Sequence, residues 1–194
     1  MLCYSTMPVL TLGSPARRPD SLEVIYRSDS SVTGDEDGQL RDLFFSSFSF
    51  NPIFLARRYL KECPAHRWLV KGEGGEIVAH TAVHEKTIGT ASGDLRVGGV
   101  AEVCVDSNHR GLGLVKAMLR SVDAWLQSRP IDFAMLFGDA RIYASSGYVP
   151  MRNDLRAANA LSRHWNPFCG KPMIKCLSDR PWPAGLIDLR GPTF

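Results

Sequence analysis

The sequence of 194 residues predicts a single-domain α/β protein. Short apolar runs rich in β-branched residues alternate with segments whose apolar residues recur at helical spacing. Hydrophobic residues make up 44% of the chain, which is enough for one core but, at this length, leaves no room for two. The clearest unit is 100–126, where an apolar strand passes through a glycine-containing turn into an amphipathic helix.

The first half of the chain is predicted from apolar spacing and turn residues. We expect 1–20, which contains three prolines, to be a flexible lead-in to a domain spanning 21–194. A first strand at Leu22–Tyr26 precedes a helix around Leu40–Phe48, and a second short helix is predicted from Pro52 to Glu62 because proline suits a first helical turn. Three strands follow, at Arg67–Lys71, Glu76–Glu85 and 94–105.

The second half continues the alternation. The apolar run Asp132–Phe137 predicts a buried strand, and Asp139–Ser145 predicts a short helix closed by Gly147. The segment 150–170 is polar and broken by proline and glycine, so we expect a long loop there. Met173–Leu177 is expected to be the last strand.

The turn that follows the strand has the features of an anion site. Asp106 ends the strand, and Gly111 and Gly113 lack a Cβ, so an anionic group can approach their backbone closely. The first N–H groups of the next helix have no intrahelical partners and lie at the positive end of its dipole. The turn lacks the Gly-Lys-Ser/Thr ending of a triphosphate loop and the third glycine of the dinucleotide fingerprint. An ordinary strand–helix junction remains the alternative.

Two motifs in the sequence resemble signatures of the GNAT acyltransferases. Arg110-Gly111-Leu112-Gly113-Leu114-Val115 is similar to their pyrophosphate-binding turn, although the family has Gly or Ala where this chain has Val115. Ile142–Tyr148 is similar to their second signature, an apolar residue and Tyr followed by three residues, Gly and an aromatic residue. The predicted element order over 22–150 is also that of the GNAT fold. The resemblance implies a mixed, mostly antiparallel central sheet flanked by helices, and a coenzyme A thioester as acyl donor.

Two GNAT subgroups share further segments with this chain. The segments 77–83 and 95–98, together with the glycine turn, resemble the aminoglycoside 2′-N-acetyltransferases. The tail 178–194 resembles the end of the nodulation N-acyltransferases, which acylate an amino sugar. Both resemblances imply a primary amine on a sugar-like acceptor, bordered by the tail. Asp179 and Trp182 are the candidate acceptor contacts, with a solvated carboxylate and a core indole as their alternatives.

The GNAT resemblance also implies roles for individual residues. Tyr143 would be the general acid that protonates the departing thiolate. Backbone N–H groups of Val103, Cys104 and Val105 would hold the pantetheine arm and polarise the thioester carbonyl. Residues 110–115 would hold the pyrophosphate. Cys104 is alternatively a small buried hydrophobe, which is the common role of a buried thiol.

Glu102 is the candidate base because it is a carboxylate inside an apolar strand. In the aminoglycoside subgroup the corresponding Glu lies one place earlier, where this chain has Ala101. A shift of one residue turns a strand side chain to the opposite face, unless a β-bulge intervenes. The alternative for Glu102 is an exposed strand residue paired with a neighbouring Lys or Arg.

Composition argues against several other classes of protein. The net charge of +3 is too weak to indicate a nucleic-acid partner, and no apolar run approaches the roughly 18 residues of a membrane span. His80 and His84 would lie about 13 Å apart on a strand, so no metal is expected. The five cysteines are odd in number and scattered, which is typical of reduced thiols in the cytoplasm.

We therefore expect a cytoplasmic, acetyl-CoA-dependent N-acetyltransferase. Its acceptor would be a primary amine of a small molecule, with amino sugars and aminoglycosides as candidates. Transfer of a longer acyl chain to an amino sugar, and a catalytically silent acyl-CoA-binding regulatory domain, remain alternatives. A homodimer is compatible with the sequence.

Overall fold

The computed structural model describes 22–158, the backbone of 165–167, and 171–194. The predicted lead-in at 1–20 lies outside these residues. The strands are β1 (Val24–Ser28), β2 (His66–Lys71), β3 (Ile77–Thr90), β4 (Gly93–Val105), β5 (Phe133–Phe137), β6 (Val149–Pro150), β7 (Leu155–Ala158), β8 (Trp165–Pro167), β9 (Pro172–Cys176) and β10 (Ile187–Asp188). The helices are α1 (Gly34–Ser47), α2 (Leu114–Gln127) and α3 (Ala140–Tyr143), with 3₁₀ turns at Asp29–Ser31, Pro52–Leu55, Ser107–His109 and Ala144–Ser146.

These strands form one mixed sheet in the order β6-β9-β5-β4-β3-β10-β7-β8. β2 pairs with the first half of β3 and carries β1 on its other edge. Only the β4–β5 and β7–β10 pairs are parallel among the strands described. The prediction of a mostly antiparallel sheet flanked by helices is confirmed.

The two long helices cover opposite faces of this sheet. Leu69 on β2 packs into the same apolar cluster as Leu40 and Phe44 of α1. Its neighbour Val70 packs into a cluster with Met118 of α2. Because successive strand residues point to opposite sides, these contacts define an α1 face and an α2 face of the sheet.

The parallel strands β4 and β5 pair over a short distance only. Val97–Gly99 of β4 pair with Phe133–Met135 of β5. β4 continues to Val105 and β5 to Phe137, with no further pair between them in the described part of the chain. A gap therefore opens between the carboxyl ends of two parallel strands, which is where open α/β sheets bind ligands.

The predicted helix from Pro52 to Glu62 is wrong beyond Leu55, where a single 3₁₀ turn ends. Arg58 then binds the carboxylate of Asp29, with Nη2 and Oδ2 2.5 Å apart, and the N–H of Leu60 donates to Glu102 Oε1 at 2.7 Å. These long-range contacts fix the chain in an irregular path that local helix propensity does not predict.

The predicted loop at 150–170 is also wrong in part, because it contains β7 and β8. β7 joins the main sheet through β10, which comes from the tail, and β8 pairs with β7. Ile187 and Leu189 of the tail are fully buried. The tail is therefore a structural part of the sheet.

Truncating Ile187 should consequently destabilise the fold. We expect Ile187→Ala to lower the free energy of unfolding by about 2–5 kcal/mol, because it leaves a cavity under β10. The exposed neighbour Leu186 provides the control, and Leu186→Ala should change that free energy by about 0.5 kcal/mol or less. Denaturant unfolding checks both variants, and equal stabilities would contradict the structural role of the tail.

Candidate active site

A cavity of about 610 Å³ lies beside the end of β4, past the residues that pair with β5. It is lined by the end of β4, by the glycine turn with the start of α2, and by α3. The lining residues are Ser47, Phe48, Val103, Cys104, Val105, His109, Arg110, Gly111, Gly113, Leu114, Val115, Lys116, Ile142, Tyr143 and Ser145. The structure thus brings the strand, turn and tyrosine candidates to one place. Leu112 instead packs with the apolar cluster at the base of α2.

The glycine turn has the conformation of an open cradle. Gly111 and Gly113 have φ angles of +80° and +76°, which only glycine adopts readily. No heavy atom outside the adjoining residues lies within 4 Å of where a Cβ would stand at either position. Gly113 is also the N-cap residue of α2, so the unpaired N–H groups of the first turn adjoin this space. The cradle can accept the anionic group of a bound ligand.

Cations and a thiol complete this cavity. The side chains of Arg110 and Lys116 lie on its wall, where each can meet an anion. Cys104 packs in a cluster with Phe44, and burial raises the pKa of its thiol, so a thiolate nucleophile is disfavoured.

Tyr143, the last residue of α3, lines the same cavity. Its side chain is 8% exposed, and burial raises its pKa to about 12. The hydroxyl therefore stays protonated at neutral pH and is available as a proton donor. A Cβ at Gly138 would lie 2.3 Å from the Tyr143 ring, so this glycine makes room for the ring.

A β-bulge in β4 decides where Glu102 points. His80 pairs with Cys104 and Ala82 pairs with Ala101, so β4 has one more residue than β3 between these pairs. Glu102 has a φ of +50°, and its neighbour Val100 belongs to the apolar cluster under α2. Regular alternation would put Glu102 on that same α2 face. The bulge puts it on the α1 face instead.

The Glu102 carboxylate is held from two sides in this position. Oε1 accepts a hydrogen bond of 2.7 Å from the N–H of Leu60, and Oε2 lies 3.5 Å from Nη1 of Arg67. Burial raises the pKa of Glu102 to about 7, against the opposing effect of the Arg67 charge. The carboxylate can therefore exchange a proton at neutral pH.

Sequence reasoning did not assign roles to the buried groups that hold the bulge. Arg67 is fully buried and donates to Asp29 at 2.6 Å and to Nε2 of His80 at 3.0 Å. His80 Nδ1 lies 2.8 Å from the carbonyl oxygen of Glu102. Burial and the Arg67 charge keep the pKa of His80 well below its usual value, so the neutral ring accepts from Arg67 and donates to this carbonyl. The signal in the sequence that could have revealed these buried groups is Arg67, a single arginine within an apolar strand.

A second, smaller cavity of about 210 Å³ lies beside Glu102. Its lining residues are Phe48, Phe54, Leu60, Lys61, Glu62, His84, Glu102, Phe137 and Phe194. Phe48 lines both cavities, so the two are neighbours. One molecule can enter from the glycine turn and a second from the α1 face, with Glu102 on the second side.

The two predicted tail residues, Asp179 and Trp182, lie outside both of these cavities. The Trp182 ring packs edge-on against Phe133, and its Nε1 donates to Asn153. It lines a separate cavity with Thr90 at the far end of the β3–β4 hairpin. Asp179 is exposed and lines neither of the two cavities above. The tail residue that borders the Glu102 cavity is Phe194.

Two features are absent from the described residues. They contain no group of three or more His, Cys, Asp and Glu side chains arranged to hold a metal ion. None of their helices combines the length and apolar character needed to cross a membrane.

Solved structures with the same fold include acetyltransferases bound to coenzyme A. The GNAT family N-acetyltransferase YhbS from Escherichia coli, in complex with CoA, aligns with a TM-score of 0.65 at 18% identity, over 96% of this chain and 93% of that one. A GNAT family acetyltransferase from Brucella melitensis, in complex with acetyl-CoA, aligns with a TM-score of 0.54 at 15% identity, over 85% and 94%. The ribosomal-protein-S18-alanine N-acetyltransferase from Escherichia coli gives 0.52 at 12% identity, over 82% and 97%.

Sequence comparison identifies a family for this chain. None of the curated protein sequences compared with this chain matches it significantly. The model of the Acetyltransferase (GNAT) domain matches residues 30–151, which is more than half of the 194 residues. The matched segment contains the bulge, the glycine turn and Tyr143. The chain therefore belongs to the GNAT acetyltransferase family.

Proposed function

We propose that this protein transfers an acetyl group from acetyl-CoA to a primary amine of a small molecule. The observation that carries the proposal is the placement of Glu102 and Tyr143. Each lines one of two neighbouring cavities, a carboxylate with a pKa of about 7 on one side and a protonated phenol on the other. A silent acyl-CoA-binding domain would need no such carboxylate.

The larger cavity is the proposed site of the donor. Its open glycine cradle and the start of α2 suit a pyrophosphate, with Arg110 as the nearby cation. The edge of β4 at Val103–Val105 faces the same cavity without a strand partner on the β5 side in the described residues. Its backbone groups suit a pantetheine arm. The solved relatives in complex with CoA and acetyl-CoA support this assignment.

The proposed reaction moves two protons away from the acceptor nitrogen. The ammonium group first gives one proton to the Glu102 carboxylate, and the free amine attacks the thioester carbon. A C–N bond forms, the C–S bond breaks, and the Tyr143 hydroxyl protonates the departing thiolate. The amide nitrogen sheds its second proton to restore Tyr143, through solvent, and Glu102 releases its proton to water.

The class of acceptor and the length of the acyl chain belong to the same proposal. An amino-sugar or aminoglycoside acceptor, and a longer acyl chain, follow only from the sequence resemblances. We also propose a cytoplasmic protein, since Cys63, Cys104 and Cys176 are free thiols.

The donor site can be tested at Gly113. Gly113→Val should abolish the rise in melting temperature that acetyl-CoA causes in the wild type, because the side chain would fill the cradle. Gly75→Val is the matched control. Gly75 also has a left-handed φ, of +83°, with nothing near its Cβ position, but it lies in the β2–β3 turn. If folded Gly113→Val showed the full rise in melting temperature with acetyl-CoA, the donor site would lie elsewhere.

The general acid can be tested by removing one hydroxyl. Tyr143→Phe should lower kcat by about 100-fold, within the range of general acid catalysis, and leave acetyl-CoA affinity little changed. Tyr148→Phe is the control, since its buried hydroxyl has no hydrogen-bond partner in the described structure and lines neither cavity. Equal turnover of the two variants, with acyl transfer rate-limiting, would make Tyr143 a packing residue.

The base can be tested through the pH dependence of kcat/KM. Glu102 is a base only when ionised, so activity should fall as pH decreases below its pKa of about 7. Glu102→Gln should remove this acidic limb and lower the plateau. Glu62→Gln changes another carboxylate of the same cavity and should keep the limb. If Glu102→Gln kept the acidic limb unchanged, the limb would report the titration of another group.

A further inference from the structure

We propose that the acceptor is a small monoamine with an apolar, preferably aromatic, body. The inference rests on the acetyltransferase function proposed above and concerns the cavity beside Glu102. Neither the family nor its solved members assign an acceptor to this chain. The sugar-like acceptor that the sequence resemblances imply is the competing assignment.

The size of the cavity limits the acceptor. Its volume is about 210 Å³, whereas pockets for drug-sized ligands typically measure roughly 300–1,000 Å³. An aminoglycoside, with several linked rings, is larger than this space. A single ring or a short alkyl chain bearing one amine is of the right size.

The walls of the cavity favour an apolar body. Four of the nine lining residues are phenylalanines. The rings of Phe48 and Phe54 lie 5.5 Å apart, and those of Phe137 and Phe194 lie 5.2 Å apart. An apolar group between them loses contact with water, which stabilises binding in proportion to the apolar area removed from water. The hydroxyl groups of a sugar would lose their hydrogen bonds to water against the same rings.

The charged residues that line the cavity favour an ammonium group beside Glu102. Glu62 pairs with Lys86 at 3.2 Å, and Lys86 also donates to the carbonyl of Pro192. Burial and the Lys86 charge lower the pKa of His84 to about 4, so this ring is neutral. Glu102 has Arg67 at 3.5 Å on one side but no lysine partner among the described residues, and it is the carboxylate of this cavity that faces the proposed acceptor amine.

A second ammonium group on the acceptor would be disfavoured. Lys61 lies on the cavity wall near the Glu62–Lys86 pair, and its charge repels another cation. Glu62 already has Lys86 at 3.2 Å and Lys61 nearby, so it offers little compensation to a second ammonium group. Polyamines and aminoglycosides, which carry several ammonium groups, fit this lining poorly.

A matched pair of amines tests the proposal directly. Hexylamine and 1,5-diaminopentane have the same number of heavy atoms and differ by one terminal ammonium group. With the full chain and acetyl-CoA, thiol release should give a kcat/KM at least about tenfold higher for hexylamine. Phenethylamine should exceed glucosamine by a similar factor. Equal or higher values for the diamine or for glucosamine would overturn the proposal and leave the acetyltransferase function intact.

A change in the wall should alter this preference. Phe194→Asp adds a carboxylate to the cavity and should lower the hexylamine to diaminopentane ratio at least about tenfold. Phe50→Ala is the control, because Phe50 is 65% exposed and lines neither cavity. An unchanged ratio in Phe194→Asp would contradict the assignment.

Calorimetry measures binding of the acceptor without requiring catalysis. Phenethylamine is titrated into the protein saturated with coenzyme A. Saturable binding that is weaker in Phe194→Asp supports the apolar acceptor. If phenethylamine binds in this way but no amine is acetylated, the acceptor class stands and only the proposed acetyltransferase function fails. Absence of binding overturns the acceptor class.

Discussion

The strained backbone at Glu102 is the constraint on which the rest of the site depends. A positive φ at a residue other than glycine costs on the order of 1 kcal/mol or more, and it persists only when the surroundings enforce it. Here the neutral ring of His80 binds the carbonyl of Glu102, while Leu60 and Arg67 hold its carboxylate. The bulge gives the α1 face a carboxylate while Val103 and Val105 still line the larger cavity.

The same interactions organise the connection between α1 and β2. Arg67 and Arg58 both bind Asp29, and Arg58 also reaches Asp37 of α1 at 2.7 Å. The connection has no regular structure past Leu55, yet it contributes Leu60 and Lys61 to the smaller cavity. A partly buried charge network thus positions one wall of the smaller cavity, whereas the glycine turn of the larger cavity is shaped by backbone geometry at two glycines.

Much of the fold could be predicted because it follows from local pattern. Apolar runs located most of the β3–β4 hairpin, and the glycine turn with its helix could be predicted together with Tyr143. The side of the sheet on which Glu102 lies could not be predicted, because a β-bulge depends on partners on another strand, such as His80. The Pro52–Glu62 helix failed for the same reason, because distant carboxylates override helix propensity. Phe194, at the end of the tail, reaches the cavity through long-range contacts of β10 and of the residues after it, such as the hydrogen bond from Lys86 to the carbonyl of Pro192.

The buried carboxylate also couples the conformational stability of the protein to pH. Folding raises the pKa of Glu102 from an ordinary 4.5 to about 7, so the folded state binds this proton more tightly than the unfolded chain does. The resulting stabilisation is complete below pH 4.5 and is lost as pH rises through 7, a difference on the order of 3 kcal/mol. The ionisation that the proposed role of Glu102 requires therefore opposes folding, and the protein is least stabilised by this group in the pH range where the carboxylate can accept a proton.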